Sequence, residues 1–151
     1  MKRINNGLGG WESLTIDPPF LMSFAITREC NLRCKHCYSE ALEGKSPDEL
    51  STDEAKGLLD ELATWRIGLL IMDGGEPLMR EDIFELASYA SSKGLRVVIG
   101  SNGALIDRET AQRLKKTDIK MVSISIDGAK PETHDSFRGE EGFLHQSLKG
   151  G

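Results

Sequence analysis

Three cysteines within eight residues carry the clearest chemical signal in this sequence. Cys30, Cys34 and Cys37 have the spacing C-x3-C-x2-C, and the 151 residues contain no other cysteine. A disulfide framework needs paired cysteines spread along a chain, so this odd cluster does not suit one. No apolar signal peptide precedes the cluster, and we therefore expect a reducing, cytoplasmic setting. Clustered thiolates in that setting favour zinc or an iron–sulfur cluster.

The number of thiolates bears on which metal they bind. A structural zinc site has four protein ligands, yet the chain has no second C-x2-C pair and its histidines are His36, His134 and His145. An ordinary [4Fe–4S] electron carrier uses four cysteines, so three leave one iron open to a ligand or substrate. A zinc-stabilised interaction module, a plain iron–sulfur electron carrier and three buried structural thiols are the alternatives.

The composition is that of an ordinary soluble globular chain. Hydrophobic residues make up 38% and charged residues 28%, which is typical of this class, and 151 residues correspond to one domain. The net charge of −5 without a basic block gives no electrostatic support for a nucleic-acid partner. The apolar stretches are too short to span a membrane.

Four runs of strand length alternate with helical patterns, and this alternation predicts the fold class. The strands are predicted at residues 20–27, 68–73, 95–100 and 120–127. Alternating β and α elements imply parallel strands with helices packed outside, which is an α/β fold. The cysteine cluster directly follows the first strand, and ligands of such folds bind at the carboxyl ends of strands.

The helices between these strands are predicted from caps and from apolar spacing. Ser51 and Glu54 form a capping-box pattern ahead of the first helix. A third helix is predicted over residues 107–116, and helical structure with interruptions from Pro131 onward. The buried stripes are Ala55, Leu58, Leu59, Leu62 and Trp65 in the first helix, and Ile83, Leu86, Ala87 and Ala90 in the second.

The fourth strand alternates, whereas a parallel strand is usually apolar throughout. Its apolar face, which we expect to meet the helices, consists of Val122, Ile124 and Ile126. Its polar face consists of Ser123, Ser125 and Asp127. These serine and aspartate oxygens suit the hydroxyl groups of a ribose. The alternative is an edge strand with one solvated face.

Two other predicted strands are followed by glycine-containing polar turns. Gly74-Gly75-Glu76-Pro77 follows the second strand, and Ser101-Asn102-Gly103 follows the third. Paired glycines permit close approach of the main chain to a ligand. Taken alone, each of these segments is also an ordinary turn signal.

The cysteine motif, these turns and the segments Ser125–Gly128 and His134–Gly139 together resemble the radical S-adenosylmethionine (radical SAM) enzymes. The resemblance is strongest to members with a C-terminal SPASM-type domain. It implies that the three cysteines hold a [4Fe–4S] cluster and that S-adenosylmethionine chelates the open iron. It also implies that reductive cleavage of this cofactor gives a 5′-deoxyadenosyl radical, which takes a hydrogen atom from the substrate.

The resemblance further implies a set of cofactor-binding residues. His36 lies near the adenine, the backbone after the second strand binds the methionine amino group, and Arg138 pairs with the cofactor carboxylate. The alternative for Arg138 is a surface cation beside Glu140 and Glu141. The whole predicted set is His36, Gly74, Gly75, Glu76, Ser101, Asn102, Ser125, Asp127 and Arg138.

The fold implied by the resemblance is an incomplete TIM-like (β/α) partial barrel, with about four of the six β/α units of the family core. Residues 1–19 are expected to form an irregular N-terminal segment, and residues 20–151 a truncated core domain. The implied electron donor is a one-electron reductant of the ferredoxin or flavodoxin type. The implied substrate is a tetrapyrrole of haem biosynthesis, or alternatively a ribosomal peptide or peptide-derived cofactor.

Overall fold

The structure, a computed structural model, describes residues 17–149. The strands are β1 (Leu21–Thr27), β2 (Leu69–Gly74), β3 (Val97–Ser101) and β4 (Met121–Ile124). The helices are α1 (Thr52–Trp65), α2 (Ile83–Ser92), α3 (Arg108–Lys116), α4 (Pro131–Arg138) and α5 (Phe143–Lys149), with a 3₁₀ turn at Pro77–Met79. Most of the predicted irregular segment 1–19 lies outside the described residues.

The four strands form one parallel sheet in the order β1-β2-β3-β4. Each strand pairs with its neighbours in sequence, and a helix lies between successive strands. The predicted β-α alternation and the parallel sheet are therefore confirmed. Because the strands run parallel, the loops that follow them meet at the same end of the sheet. None of the helices within residues 17–149 is long and apolar enough to cross a membrane.

The fourth strand is shorter than predicted because a helix takes over one of its backbone donors. The ladder ends at Ile124, and Asp127 N donates a hydrogen bond to His134 Nδ1 at 3.1 Å instead of to a strand. A tertiary contact from α4 thus ends β4 early. The prediction that Ile126 meets the helices is wrong, since this side chain is 44% exposed.

Helix α1 begins with the predicted capping box. Ser51 Oγ accepts a hydrogen bond from Glu54 N at 3.3 Å, and the Glu54 carboxylate accepts one from Ser51 N at 2.9 Å. The predicted stripe is buried or partly buried except for Trp65, which is 44% exposed. The chain turns at Arg66, where φ is 56°, and Ile67 takes the core position instead.

One face of the sheet is sealed by helices and carries the hydrophobic core. All four residues of the predicted α2 stripe are fully buried there. The core consists of Ile26, Ala55, Leu59, Leu62, Ile67, Leu70, Met72, Ile83, Leu86, Ala87, Ala90, Leu95, Val97, Ile99 and Leu114. The opposite face lines a cavity at the carboxyl ends of the strands, and the cysteines open into that cavity.

Candidate functional site

The cysteine loop (residues 30–37) leaves β1 through a segment that is fixed by hydrogen bonds. Thr27 Oγ1 donates to Glu49 Oε1 at 2.7 Å, and Arg28 N donates to the same oxygen at 3.0 Å. Leu42 N then donates to Arg28 O at 2.8 Å. Burial alone would raise the pKa of Glu49, but these hydrogen bonds outweigh it and hold the pKa below its usual value. The hydrogen bonds to Glu49 and the bond between Leu42 and Arg28 together close the base of the loop.

Gly74 and Gly75 at the end of β2 pack directly against the start of the cysteine loop. Gly75 N donates to Thr27 O at 2.8 Å. A Cβ on Gly74 would lie 2.3 Å from Thr27 O, and one on Gly75 would lie 2.2 Å from Glu29 O. Gly74 also has a φ of 117°, which strains any other residue. The structure thus gives these glycines a second reason beside the predicted approach to a ligand, which stays a prediction: they allow two backbone segments to meet.

Glu76 lies behind the cavity and joins the ends of β2 and β3. Its side chain is fully buried, with Oε1 accepting from Ser101 Oγ at 2.9 Å and from Leu78 N at 3.1 Å. Oε2 accepts from Asn102 N at 2.7 Å. Burial raises the pKa of Glu76, although these hydrogen bonds and the charge of Arg138 oppose the shift. The carboxylate does not line the cavity, and it is connected to the cavity wall through Ser101 and Asn102.

Asn102 connects this buried network to the cysteine loop. Its Nδ2 donates to Asn31 Oδ1 at 2.7 Å, and its Oδ1 accepts from Ala104 N at 3.0 Å. The turn predicted at residues 101–103 is present, with Gly103 at a φ of 87°. The same turn also holds the loop that carries the cysteines. The role of Asn31 was missed, because this contact joins positions far apart in the sequence.

The cavity at the strand ends has a volume of about 430 Å³ and brings most of the predicted residues together. Its apolar floor includes Leu69, Ile71, Val98 and Met121. Its wall includes the three cysteines and eight predicted cofactor-binding residues: His36, Gly74, Gly75, Ser101, Asn102, Ser125, Asp127 and Arg138. The polar face predicted for the fourth strand therefore does line the concave side of the sheet.

Arg138 is buried in the wall of this cavity. It is only 8% exposed, its Nε lies 2.6 Å from Asp127 Oδ2, and its Nη2 donates to Ser125 O at 3.3 Å. The Nε–H does not point at a hydrogen-bond acceptor, so the contact with Asp127 is an ion pair. The alternative of a surface cation beside Glu140 and Glu141 is wrong.

Asp73 is a cavity residue that sequence reasoning missed. Ser23 Oγ donates to both of its carboxylate oxygens, at 2.7 and 2.9 Å, and Tyr38 Oη lies 3.4 Å from Oδ2. The available signal was the alternation of Leu69, Ile71 and Asp73 along β2. It puts a carboxylate on the cavity side at the end of that strand.

The thiols have an environment that fits an iron–sulfur cluster. All three cysteines are free and line the same cavity. Leu32 N donates to Cys30 Sγ at 3.4 Å, and Arg138 Nη1 donates to Cys34 Sγ at 3.7 Å. Such N–H donors suit cluster-bound thiolates.

Burial raises the pKa of the Cys30 thiol, against the lowering effect of the Leu32 hydrogen bond. Within residues 17–149 no three His, Cys, Asp or Glu side chains are grouped to hold a single metal ion.

Comparison with known proteins assigns the family. A sequence model of the Radical SAM superfamily matches residues 24–149. The chain belongs to the radical SAM superfamily. This confirms the resemblance inferred from the motifs. Members of the superfamily use a [4Fe–4S] cluster and S-adenosylmethionine, which are the predicted cofactors.

Two curated relatives illustrate the range of similar enzymes. The chain is 48% identical over 130 residues to an AdoMet-dependent heme synthase of Nitratidesulfovibrio vulgaris, covering 86% of this chain and 35% of the relative. It is 39% identical over 128 residues to mycofactocin maturase MftC of Mycobacterium tuberculosis, covering 85% of this chain and 32% of the relative. The chain thus spans about a third of the length of the curated relatives it matches.

The fold is also found in a solved structure. SuiB of Streptococcus suis bound to S-adenosylmethionine matches with a TM-score of 0.71 at 18% identity, over 83% of this chain and 29% of that chain. At this identity the likeness shows the fold alone. The four β/α units of the described residues therefore form a part of the TIM-barrel-like radical SAM fold, as predicted.

Proposed function

We propose that this chain is the cluster- and cofactor-binding part of a radical SAM enzyme, with Cys30, Cys34 and Cys37 holding a [4Fe–4S] cluster. The observation that carries the proposal is the opening of all three free thiols into one cavity of about 430 Å³ at the carboxyl ends of the strands. When bound, the reduced cluster supplies one electron that cleaves S-adenosylmethionine into methionine and a 5′-deoxyadenosyl radical. The electron comes from a one-electron reductant of the ferredoxin or flavodoxin type.

The backbone after β2 is suited to bind the amino group of the cofactor. Gly75 N and Glu76 N already donate to Thr27 O and Glu29 O. The hydrogens of the cofactor's amino group need hydrogen-bond acceptors. We therefore assign its binding to the carbonyl oxygens of Gly74 and Gly75, both of which line the cavity.

The polar wall after β4 is suited to bind the adenosine. Ser125 and Asp127 line the cavity; Ser125 is exposed, and the Asp127 side chain is 25% exposed. A carboxylate accepts several hydrogen bonds, so Asp127 keeps the capacity to accept from a ribose hydroxyl while it pairs with Arg138. His36 has its ring 5.5 Å from that of Phe137 and lies on the same wall, where it packs against the adenine. The side chains of Ser101 and Asn102 complete the wall.

The proposed substrate is a tetrapyrrole. Its support is the 48% identity to an AdoMet-dependent heme synthase, together with the apolar cavity floor. The alternative is a peptide, supported by the 39% identity to mycofactocin maturase MftC. Titration of the chain with an iron–porphyrin and, separately, with a precursor peptide separates the two by which of them binds. The proposal places the reaction in the cytoplasm, where free thiols stay reduced.

The test is anaerobic electron paramagnetic resonance. The chain is reconstituted with iron and sulfide, reduced with dithionite, and measured with and without S-adenosylmethionine. We expect a [4Fe–4S]⁺ signal whose position changes when the cofactor is added. An unchanged signal would identify a plain electron carrier, and a colourless chain with stoichiometric zinc would identify a zinc-stabilised module.

The ligand assignment has its own control. Cys34→Ala removes one of three thiolates, and we expect this variant to lose nearly all cluster iron after the same reconstitution. Ser39→Ala, beside the loop, removes only a hydroxyl and should retain the cluster. A full [4Fe–4S] cluster in the Cys34→Ala variant would contradict the assignment.

A further inference from the structure

The end of helix α4 is docked on the cysteine loop through three successive residues. Lys35 N donates to Phe137 O at 2.9 Å. Arg138 Nη1 donates to Cys34 Sγ at 3.7 Å. A Cβ on Gly139 would lie 3.0 Å from the carbonyl oxygen of the loop residue Arg33. The loop and the helix end are therefore in close contact, and one of these contacts reaches a sulfur atom.

The guanidinium of Arg138 is held in a fixed orientation by the segment after β4. Its Nε forms the 2.6 Å ion pair with Asp127 Oδ2, and Nη2 donates to Ser125 O at 3.3 Å. The backbone of Asp127 is itself fixed by the hydrogen bond to His134 Nδ1 at 3.1 Å. Because these contacts use Nε and Nη2, the remaining nitrogen, Nη1, is directed towards Cys34.

The three sulfurs differ in the donors that reach them. Cys30 Sγ accepts from the neutral Leu32 N at 3.4 Å, and the Asn102 amide lies 4.0 Å away. Cys34 Sγ accepts from a charged guanidinium. Among residues 17–149, no hydrogen-bond donor contacts the Cys37 sulfur, which is exposed. A cationic donor is thus placed at one ligand of the three.

We propose that Arg138 is a positioning residue that raises the reduction potential of the cluster through its hydrogen bond to the Cys34 sulfur. The inference rests on the proposed function, since it requires the three cysteines to hold the cluster. Reduction adds one negative charge to the cluster and its thiolates. A charge-assisted hydrogen bond to a ligand sulfur stabilises that added charge, and the low exposure of Arg138 limits screening by water.

This role differs from pairing of Arg138 with the cofactor carboxylate. The sulfur contact acts on the cluster whether or not S-adenosylmethionine is bound, whereas pairing with the carboxylate acts only on the cofactor. A reduction potential measured without the cofactor therefore reports on the sulfur contact alone.

The experiment is a redox titration of the cluster-loaded full chain, followed by electron paramagnetic resonance without S-adenosylmethionine. We compare the wild type with Arg138→Gln, Arg138→Lys and Lys35→Gln. Lys35 is an exposed cation inside the cysteine loop, so Lys35→Gln removes the same charge without touching a sulfur. We expect a more negative potential for Arg138→Gln, an intermediate one for Arg138→Lys, and a much smaller shift for Lys35→Gln.

Several outcomes would overturn the inference. A wild-type potential in Arg138→Gln, or a shift no larger than that of Lys35→Gln, excludes a specific effect at the sulfur. An unshifted potential together with weaker binding of S-adenosylmethionine would assign Arg138 to the cofactor carboxylate.

Loss of the cluster is also informative. If Arg138→Gln loses its cluster, Arg138→Lys decides, because a single ammonium nitrogen cannot occupy the positions of Nε, Nη1 and Nη2 at once. We then expect a cluster potential below that of the wild type, and a wild-type potential in Arg138→Lys would contradict the inference. A folded chain without a cluster in both variants would assign Arg138 to cluster retention instead. The proposed function fails separately, when the wild type itself holds no [4Fe–4S] cluster or does not respond to S-adenosylmethionine.

Discussion

The two faces of the sheet are built from the same strands but differ in what they contribute. On the helix side, Leu70, Met72 and Ile99 are fully buried in the core. On the cavity side of β2, Ile71 and Asp73 are only partly buried and line the cavity. Side chains alternate between the faces along each strand. Burial of apolar surface is therefore greatest on the helix side, whereas the other side also carries the polar groups that line the cavity.

The same division is present in β4. Val122 packs against the hydrophobic core, whereas Ser123 and Ser125 are exposed and line the cavity. A strand that is polar on one side loses hydrophobic stabilisation there. What it gains is a set of oxygen atoms beside the cysteine loop. This difference leads to predictions in which paired substitutions separate the two faces.

The largest expected effect comes from the matched pair Leu70→Ala and Leu69→Ala. These neighbours have identical side chains on opposite faces, and Leu70 is fully buried while Leu69 is partly exposed. We expect Leu70→Ala to lower the free energy of unfolding by about 2–5 kcal/mol, through lost burial and a residual cavity. We expect about half that loss or less for Leu69→Ala. Urea unfolding of both variants, followed by circular dichroism, measures the difference.

Equal losses for the two leucine variants would contradict the division into a sealed and an open face. The m-value must also stay constant across the series, because a changed m-value would show an altered unfolded or native state.

A smaller loss is expected for Glu76→Gln, which tests the buried link between β2 and β3. The Glu76 carboxylate accepts from Ser101 Oγ, Leu78 N and Asn102 N. A glutamine side chain places its NH₂ group, a donor, against one of these donors. We expect this to lower the free energy of unfolding by about 1–3 kcal/mol. Glu81→Gln is the matched control, since Glu81 is exposed; its unfolding free energy should change by no more than about 0.5 kcal/mol.

The pH dependence of the same pair tests the environment of Glu76. Burial raises the pKa of Glu76 above its usual value of 4.5, so the folded chain binds this proton more tightly than the unfolded chain. The free energy of unfolding therefore falls as the pH rises from 4.5 to the raised pKa of Glu76, and this component is constant above it. The stability advantage of the wild type over Glu76→Gln should shrink across that window. An advantage that grows with pH would show a lowered pKa instead.

The parts of the fold that follow from local patterns were predictable from the sequence. The capping box of Ser51, the α2 stripe and the order of the β/α units depend on residues a few positions apart. Cys30, Cys34 and Cys37 were recognisable for the same reason, since their spacing lies within one loop. The helix side of the sheet was predicted best, because hydrophobic periodicity reports directly on burial.

The features that were not predictable depend on which distant segments meet. The early end of β4 requires His134 to accept from Asp127, and no local pattern specifies that contact. The glycines after β2 are needed because the backbone at Thr27 approaches them, which was not inferable from a Gly–Gly turn. Burial of Glu76 depends in the same way on the loop after β3.

The smallest expected effect is on the open face, where Ser123→Ala is paired with Val122→Ala. Ser123 is exposed and accepts or donates no side-chain hydrogen bond within the described residues, so its substitution should change the free energy of unfolding by no more than about 0.5 kcal/mol. Val122 packs against the core, and removing its two methyl groups should cost about 1–2 kcal/mol. Urea unfolding of both variants decides between two views of β4. A loss above about 1 kcal/mol for Ser123→Ala would mean that the serine face contributes to folding as the core face does; a negligible loss would mean that these serines are free to serve ligand binding.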